Sequence, residues 1–101
     1  MADATTIYRV RPGVLAEPIG EVWAVYSPAS GETRLLNDEA AAYLELLAEM
    51  PRPALEAATA LAAEIEVDAA EVRAHVADTF HLLEMAGLIE QLPADAPRAR
   101  T

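Results

Sequence analysis

The chain has 101 residues, with 17 Asp and Glu against seven Arg, no Lys, and a formal net charge of −10. It holds no cysteine, which excludes disulfides and thiolate chemistry. Its arginines are scattered rather than clustered, which disfavours nucleic acid and anionic lipid as partners, because both are held by grouped cations. Hydrophobic residues make up 53%, enough for one modest core in a single globular domain. The N-terminus shows no basic-then-apolar signal pattern and no apolar run approaches ~20 residues, so a soluble cytoplasmic protein with no membrane contact is expected.

Residues 1–6 are small and polar and are expected to be frayed. A first strand is expected within 7–19, interrupted near Arg11-Pro12-Gly13, with Pro18 confining its neighbourhood to a sheet edge or strand end. Glu21-Val22-Trp23-Ala24-Val25-Tyr26, rich in β-branched and aromatic residues, is the clearest strand. Trp23 and Val25 share one face and Val22, Ala24 and Tyr26 the other; both are apolar enough to cover helices. Ser27–Gly31 reads as a turn, Pro28 presetting φ and Gly31 tolerating φ > 0, and it joins this strand to a third at Thr33–Leu36.

Asn37 is a preferred N-cap, and Asp38 and Glu39 put negative charge at the positive end of a helix dipole. The first helix spans about 38–50, with an apolar face of Ala40, Tyr43, Leu44, Leu47 and Met50. Pro51 and Pro53 end it, and Pro53 suits the first turn of a second helix, 53–65, striped by Leu55, Ala58, Leu61, Ala62 and Ile65. Asp68 and Glu71 have the spacing of a capping box for a third helix, 68–86, which Gly87 terminates. Leu88–Leu92 follows as a short strand or apolar tail, and the Pro-, Ala-, Asp- and Arg-rich end from Pro93 is expected to be disordered. The sum is an α+β fold of winged helix-turn-helix type, a three-stranded antiparallel sheet followed by three helices.

Little in this sequence points to catalysis. His75 and His81, six residues apart on one helix, stand ~240° round from each other and do not suit a shared metal, so no metal site is expected. Ser27 and Ser30 are explained by the turn and have no marked base beside them. The carboxylates are spread over helix faces and caps, and four glycines form no phosphate loop, so no cofactor is expected.

Binding remains. On the third helix Val72, Val76, Thr79, Phe80 and Leu83 form the core stripe, but the apolar sector spreads on through His75, Leu82 and Ala86 towards Met85. Leu82 and Met85 either pack against 88–92 or form the wall of a groove. As the last strand of a meander, Thr33–Leu36 presents an unpaired edge to which an extended peptide can add, with Arg34 as a candidate partner for an acidic residue.

The strand Val22–Tyr26, the run Leu35-Leu36-Asn37-Asp38-Glu39-Ala40-Ala41, Leu44-Glu45-Leu46-Leu47, Val67-Asp68-Ala69-Ala70-Glu71-Val72 and Leu82-Leu83-Glu84-Met85-Ala86-Gly87-Leu88-Ile89 occur in the order found in one family. Over about residues 14–90 the chain resembles the PqqD family of peptide chaperones, also called RiPP recognition elements. Val25–Leu36 looks closest to a branch found beside HPr-kinase-like proteins, which often has His where this chain has Arg34. The resemblance implies a PqqD-like winged-helix domain over 7–92 that is not an enzyme. It implies a leader or precursor peptide lying as a fourth strand on Thr33, Arg34, Leu35 and Leu36, against Val72, His75, Val76, Thr79 and Leu82 of the third helix. A separate peptide-modifying enzyme is the implied second partner. The bare fold also admits a winged-helix DNA binder, although Arg73 is the one arginine of the third helix against Glu71, Asp78 and Glu84. A small scaffold domain that binds an enzyme without any leader peptide is the other alternative.

Overall fold

The computed structural model describes residues 6–92. The expected disordered segments, 1–6 and 93–101, lie outside the described residues apart from Thr6.

The stretch 7–19, expected to hold one strand, holds two: Ile7–Val10 is β1 and Leu15–Ile19 is β2. Between them Gly13 takes φ +84°, and the chain turns there so that the two strands enter different sheets. β2, β3 (Val22–Ser27) and β4 (Glu32–Leu36) form an antiparallel meander, β2-β3-β4. This three-stranded sheet precedes three helices, as the α+β reading requires: α1 (Asp38–Glu49), α2 (Ala54–Ile65) and α3 (Ala69–Met85). A second small sheet, β5-β1-β6, pairs β1 with β5 (Arg52–Pro53) on one side and β6 (Ile89–Gln91) on the other. The tail after Gly87 is therefore a strand, and Leu92 extends the pairing by donating its amide to the Ile7 carbonyl at 2.8 Å.

The helix ends follow from their capping residues. Asn37 Oδ1 accepts the Ala40 amide at 2.9 Å, closing the first turn of α1. Asp68 caps α3 through the Ala70 amide at 3.2 Å rather than the Glu71 amide that a capping box uses. Pro53 stands at the N-cap of α2, one residue before the expected first turn, because its extended backbone pairs with Ile7. At the far end of α3, Gly87 at φ +77° lets Leu88 donate to Leu83 and Gly87 to Glu84, both at 3.0 Å, a Schellman closure.

The core lies between the inner face of the meander and the three helices, with Tyr43, Phe80, Leu47, Leu61, Leu83, Leu88, Ile89 and Val25 its largest fully buried side chains. Burying an apolar side chain of this size stabilises the fold by roughly 1.5–3 kcal/mol. Phe80 is its centre, meeting the rings of Tyr8 at 5.0 Å and Tyr43 at 5.2 Å edge to face. Val25 is buried and Trp23 packs on the core while Tyr26 is exposed, so the Trp23/Val25 face covers the helices. Three residues of the expected helix stripes are instead exposed: Met50, Leu55 and Ile65. Each stands at or beside a helix end, where the packing neighbour stops, and the small residues Ala57 and Ala58 seat α2 in their place.

Candidate functional site

The two outer strands of the meander present different edges. Gly20 has φ +62° and Glu21 does not share a positive φ, so the β2–β3 link is a type II′ turn closed by the pair Ile19 and Val22. Hydrogen-bonded and non-hydrogen-bonded pairs alternate from there along an antiparallel ladder. Pro18 opposite Trp23 is therefore a non-hydrogen-bonded pair, with the proline nitrogen turned to the free edge of β2, where it can donate nothing. Carried across β3, the alternation makes Trp23–Leu36 and Val25–Arg34 the hydrogen-bonded pairs of β3 and β4. The backbone groups of Thr33 and Leu35 consequently point outward, giving the β4 edge two donors and two acceptors.

That edge faces the last turns of α3 across a groove of about 550 Å³ lined by Thr33, Arg34, Leu35, Leu36, Leu82, Met85 and Ala86. Leu35 (67% exposed), Leu82 (54%) and Met85 (74%) are unusually open for apolar side chains. Met85 and Leu82 thus line a groove and are not packed away against 88–92. Leu36 closes the floor from the core.

The two walls are tied together. Ser27, 1% exposed at the end of β3, donates its hydroxyl to the Gly87 carbonyl at 2.8 Å and accepts the Ser30 amide at 3.3 Å. The hairpin tip is thereby fastened to the C-terminal end of α3. A Cβ on Gly87 would come within 2.8 Å of Ser27 Oγ, so glycine is needed there for space as well as for φ.

Arg34 shares the helix-side face of β4 with Leu36, since it stands opposite buried Val25. Among the described residues that line the groove it is the one cation. Its guanidinium donates to Glu32 Oε1 at 3.3 Å, both side chains being half exposed or more. Such a pair is worth a few tenths of a kcal/mol to about 1 kcal/mol and is readily exchanged.

Of the residues expected at a peptide site, Thr33, Arg34, Leu35, Leu36 and Leu82 are brought together. Val72 and Val76 lie in the core, while exposed His75 and half-buried Thr79 sit further up α3, outside the groove lining. Met85 and Ala86 also line the groove; neither is among the expected peptide contacts, although the wide apolar sector of α3 offers Met85 as a groove wall. Among the described residues no group of three or more candidate ligands could hold a metal ion, and no helix is long and apolar enough to cross a membrane.

The family described as Coenzyme PQQ synthesis protein D (PqqD) matches residues 23–89. No curated protein matches the chain. Among solved structures, the fold is similar to the PqqD truncation of Methylobacterium extorquens PqqCD, described as a functional and stand-alone RiPP recognition element. That likeness has a TM-score of 0.67 and 21% identity over 83% of this chain and 88% of that one. It is also similar to lasso peptide synthetase B1 complexed with the leader peptide, at a TM-score of 0.63 and 26% identity over 85% of this chain and 98% of that one.

Proposed function

The chain belongs to the PqqD family, and from that membership we propose that it is a non-catalytic, cytoplasmic peptide-recognition domain of the winged helix-turn-helix kind. It captures part of a leader or precursor peptide as an added strand on β4, holds it against α3, and presents it to a separate modifying enzyme. The observation that carries this reading is the open β4 edge beside a groove that is apolar at Leu36, Leu82, Met85 and Ala86 and cationic at Arg34: main-chain bonds supply affinity and the groove supplies selectivity. The likeness to a synthetase subunit complexed with its leader peptide supports the same reading. The peptide contacts are Thr33, Arg34, Leu35 and Leu36 on one side and Leu82, Met85 and Ala86 on the other. A longer peptide continues along α3 past Thr79 and His75, with Val72 and Val76 backing that wall from the core. On the segment Val25–Leu36 we assign the chain to the branch found beside HPr-kinase-like proteins.

Titration with a precursor peptide encoded beside this protein, followed by amide resonances, tests the site. Residues 33–36 and 82–86 are expected to shift together, and their constancy at saturating peptide sinks the assignment.

A further inference from the structure

Resting on the docking edge proposed above, we infer that the peptide class this chain selects carries an acidic side chain two residues from a bulky apolar one, both turned into the groove. The outward backbone groups belong to Thr33 and Leu35, so in antiparallel addition the peptide residues opposite these two form the hydrogen-bonded pairs. The residues opposite Arg34 and Leu36 then form non-hydrogen-bonded pairs, in which the facing side chains come closest, with Cα atoms ~4.5 Å apart. Both lie on the helix side of the sheet, because Arg34 and Leu36 do.

The two positions meet different chemistry. The side chain opposite Leu36 enters between Leu36, Leu82, Met85 and Ala86, an apolar slot with a flexible methionine at its rim. The side chain opposite Arg34 meets its guanidinium, the one cation among the described lining residues, whose present partner is the exposed Glu32. A peptide carboxylate takes the place of that internal carboxylate, and the covering strand removes water from the new pair. Glu32 also fixes the register: a slip by two residues sets the peptide acid against Glu32 instead of Arg34, and like charges directly opposite are destabilising. The residue between the two anchors faces outward beside Leu35 and is free to vary.

The test is a library of randomised nine-residue peptides selected on the immobilised full chain, with affinities of the enriched peptides measured by fluorescence anisotropy. Enriched peptides are expected to share an Asp or Glu two positions from Leu, Ile, Phe or Met, and selection on Arg34→Glu is expected to place Lys or Arg there instead. Replacing the acid by its amide is expected to weaken binding about fivefold, and Glu32→Gln to strengthen only the acid-bearing peptides, about threefold. Enrichment that depends on an intact β4 edge but shows no such spacing, or no response to Arg34→Glu, overturns the inference and leaves the docking edge standing. Absence of enrichment, or enrichment unchanged on Leu35→Pro, overturns both.

Discussion

β2 and β4 are the two edges of one sheet, five residues each and exposed along most of their length, yet of the two only β4 keeps every outward amide as a donor. The difference comes from one imino acid and from what lies alongside. Pro18 removes a donor from the β2 edge, and β2 borders a smaller cleft of about 150 Å³, lined by Val10, Val14, Ala16, Trp23, Ala41, Leu44, Glu45 and Ala48. β4 keeps both outward amides and borders the larger groove against α3. Edge strands in isolation invite unwanted pairing; here one edge is blunted and the other is set beside the α3 wall that we propose selects its partner.

The largest effect is expected from proline on β4. Leu35→Pro and Thr33→Pro each delete an outward donor that the β3–β4 ladder does not use, so binding of a selected peptide should weaken more than ~100-fold by anisotropy. Circular dichroism should still show a folded chain. Persistence of tight binding in both variants would erase the distinction between the edges. Next in size is Gly87→Ala. A Cβ at φ +77° strains the backbone and meets Ser27 Oγ, so urea unfolding should show a loss of at least ~1 kcal/mol, with weaker peptide binding as the α3 wall shifts. Smaller again is Pro18→Thr, which gives β2 a donor it lacks. Sedimentation should then reveal concentration-dependent self-association that the parent chain lacks under the same conditions, while affinity at β4 stays unchanged.

The smallest effect concerns the core shared by both edges. Burial, with help from the Glu39 charge, pushes the Tyr43 hydroxyl up to about 12, and that hydroxyl has no hydrogen-bond partner among the described residues. The unfolded chain ionises this phenol near its ordinary 10.0, while the folded chain keeps its proton. The unfolded state therefore binds fewer protons, and stability falls as pH rises from about 10 towards 12. Tyr43→Phe should lessen that alkaline loss, alter neutral stability by less than ~1 kcal/mol, and leave the contrast between the edges intact.

Local signals made much of this legible in the sequence. The hairpin, Asn37, Asp68 and Gly87 are each readable within a few residues, and so are the three helices to within one residue at most ends. β1 was not separable from β2, because its partners are Pro53 and Ile89–Gln91, tens of residues away and invisible to a windowed reading. The direction of the edge amides needed the register fixed by Gly20 and Pro18 in three dimensions. Met85 looked equally suited to packing against the tail until β6 paired with β1 and left the methionine facing the groove.

The Ser27–Gly87 hydrogen bond has a kinetic consequence. Because it spans the groove's two walls from the protein's own interior, their spacing is set before any ligand arrives. No opening step then stands between encounter and docking, so association rates should vary little among peptides of different sequence. Differences between good and poor peptides should appear in residence time, with the hairpin tip acting as a fixed jaw rather than a closing one.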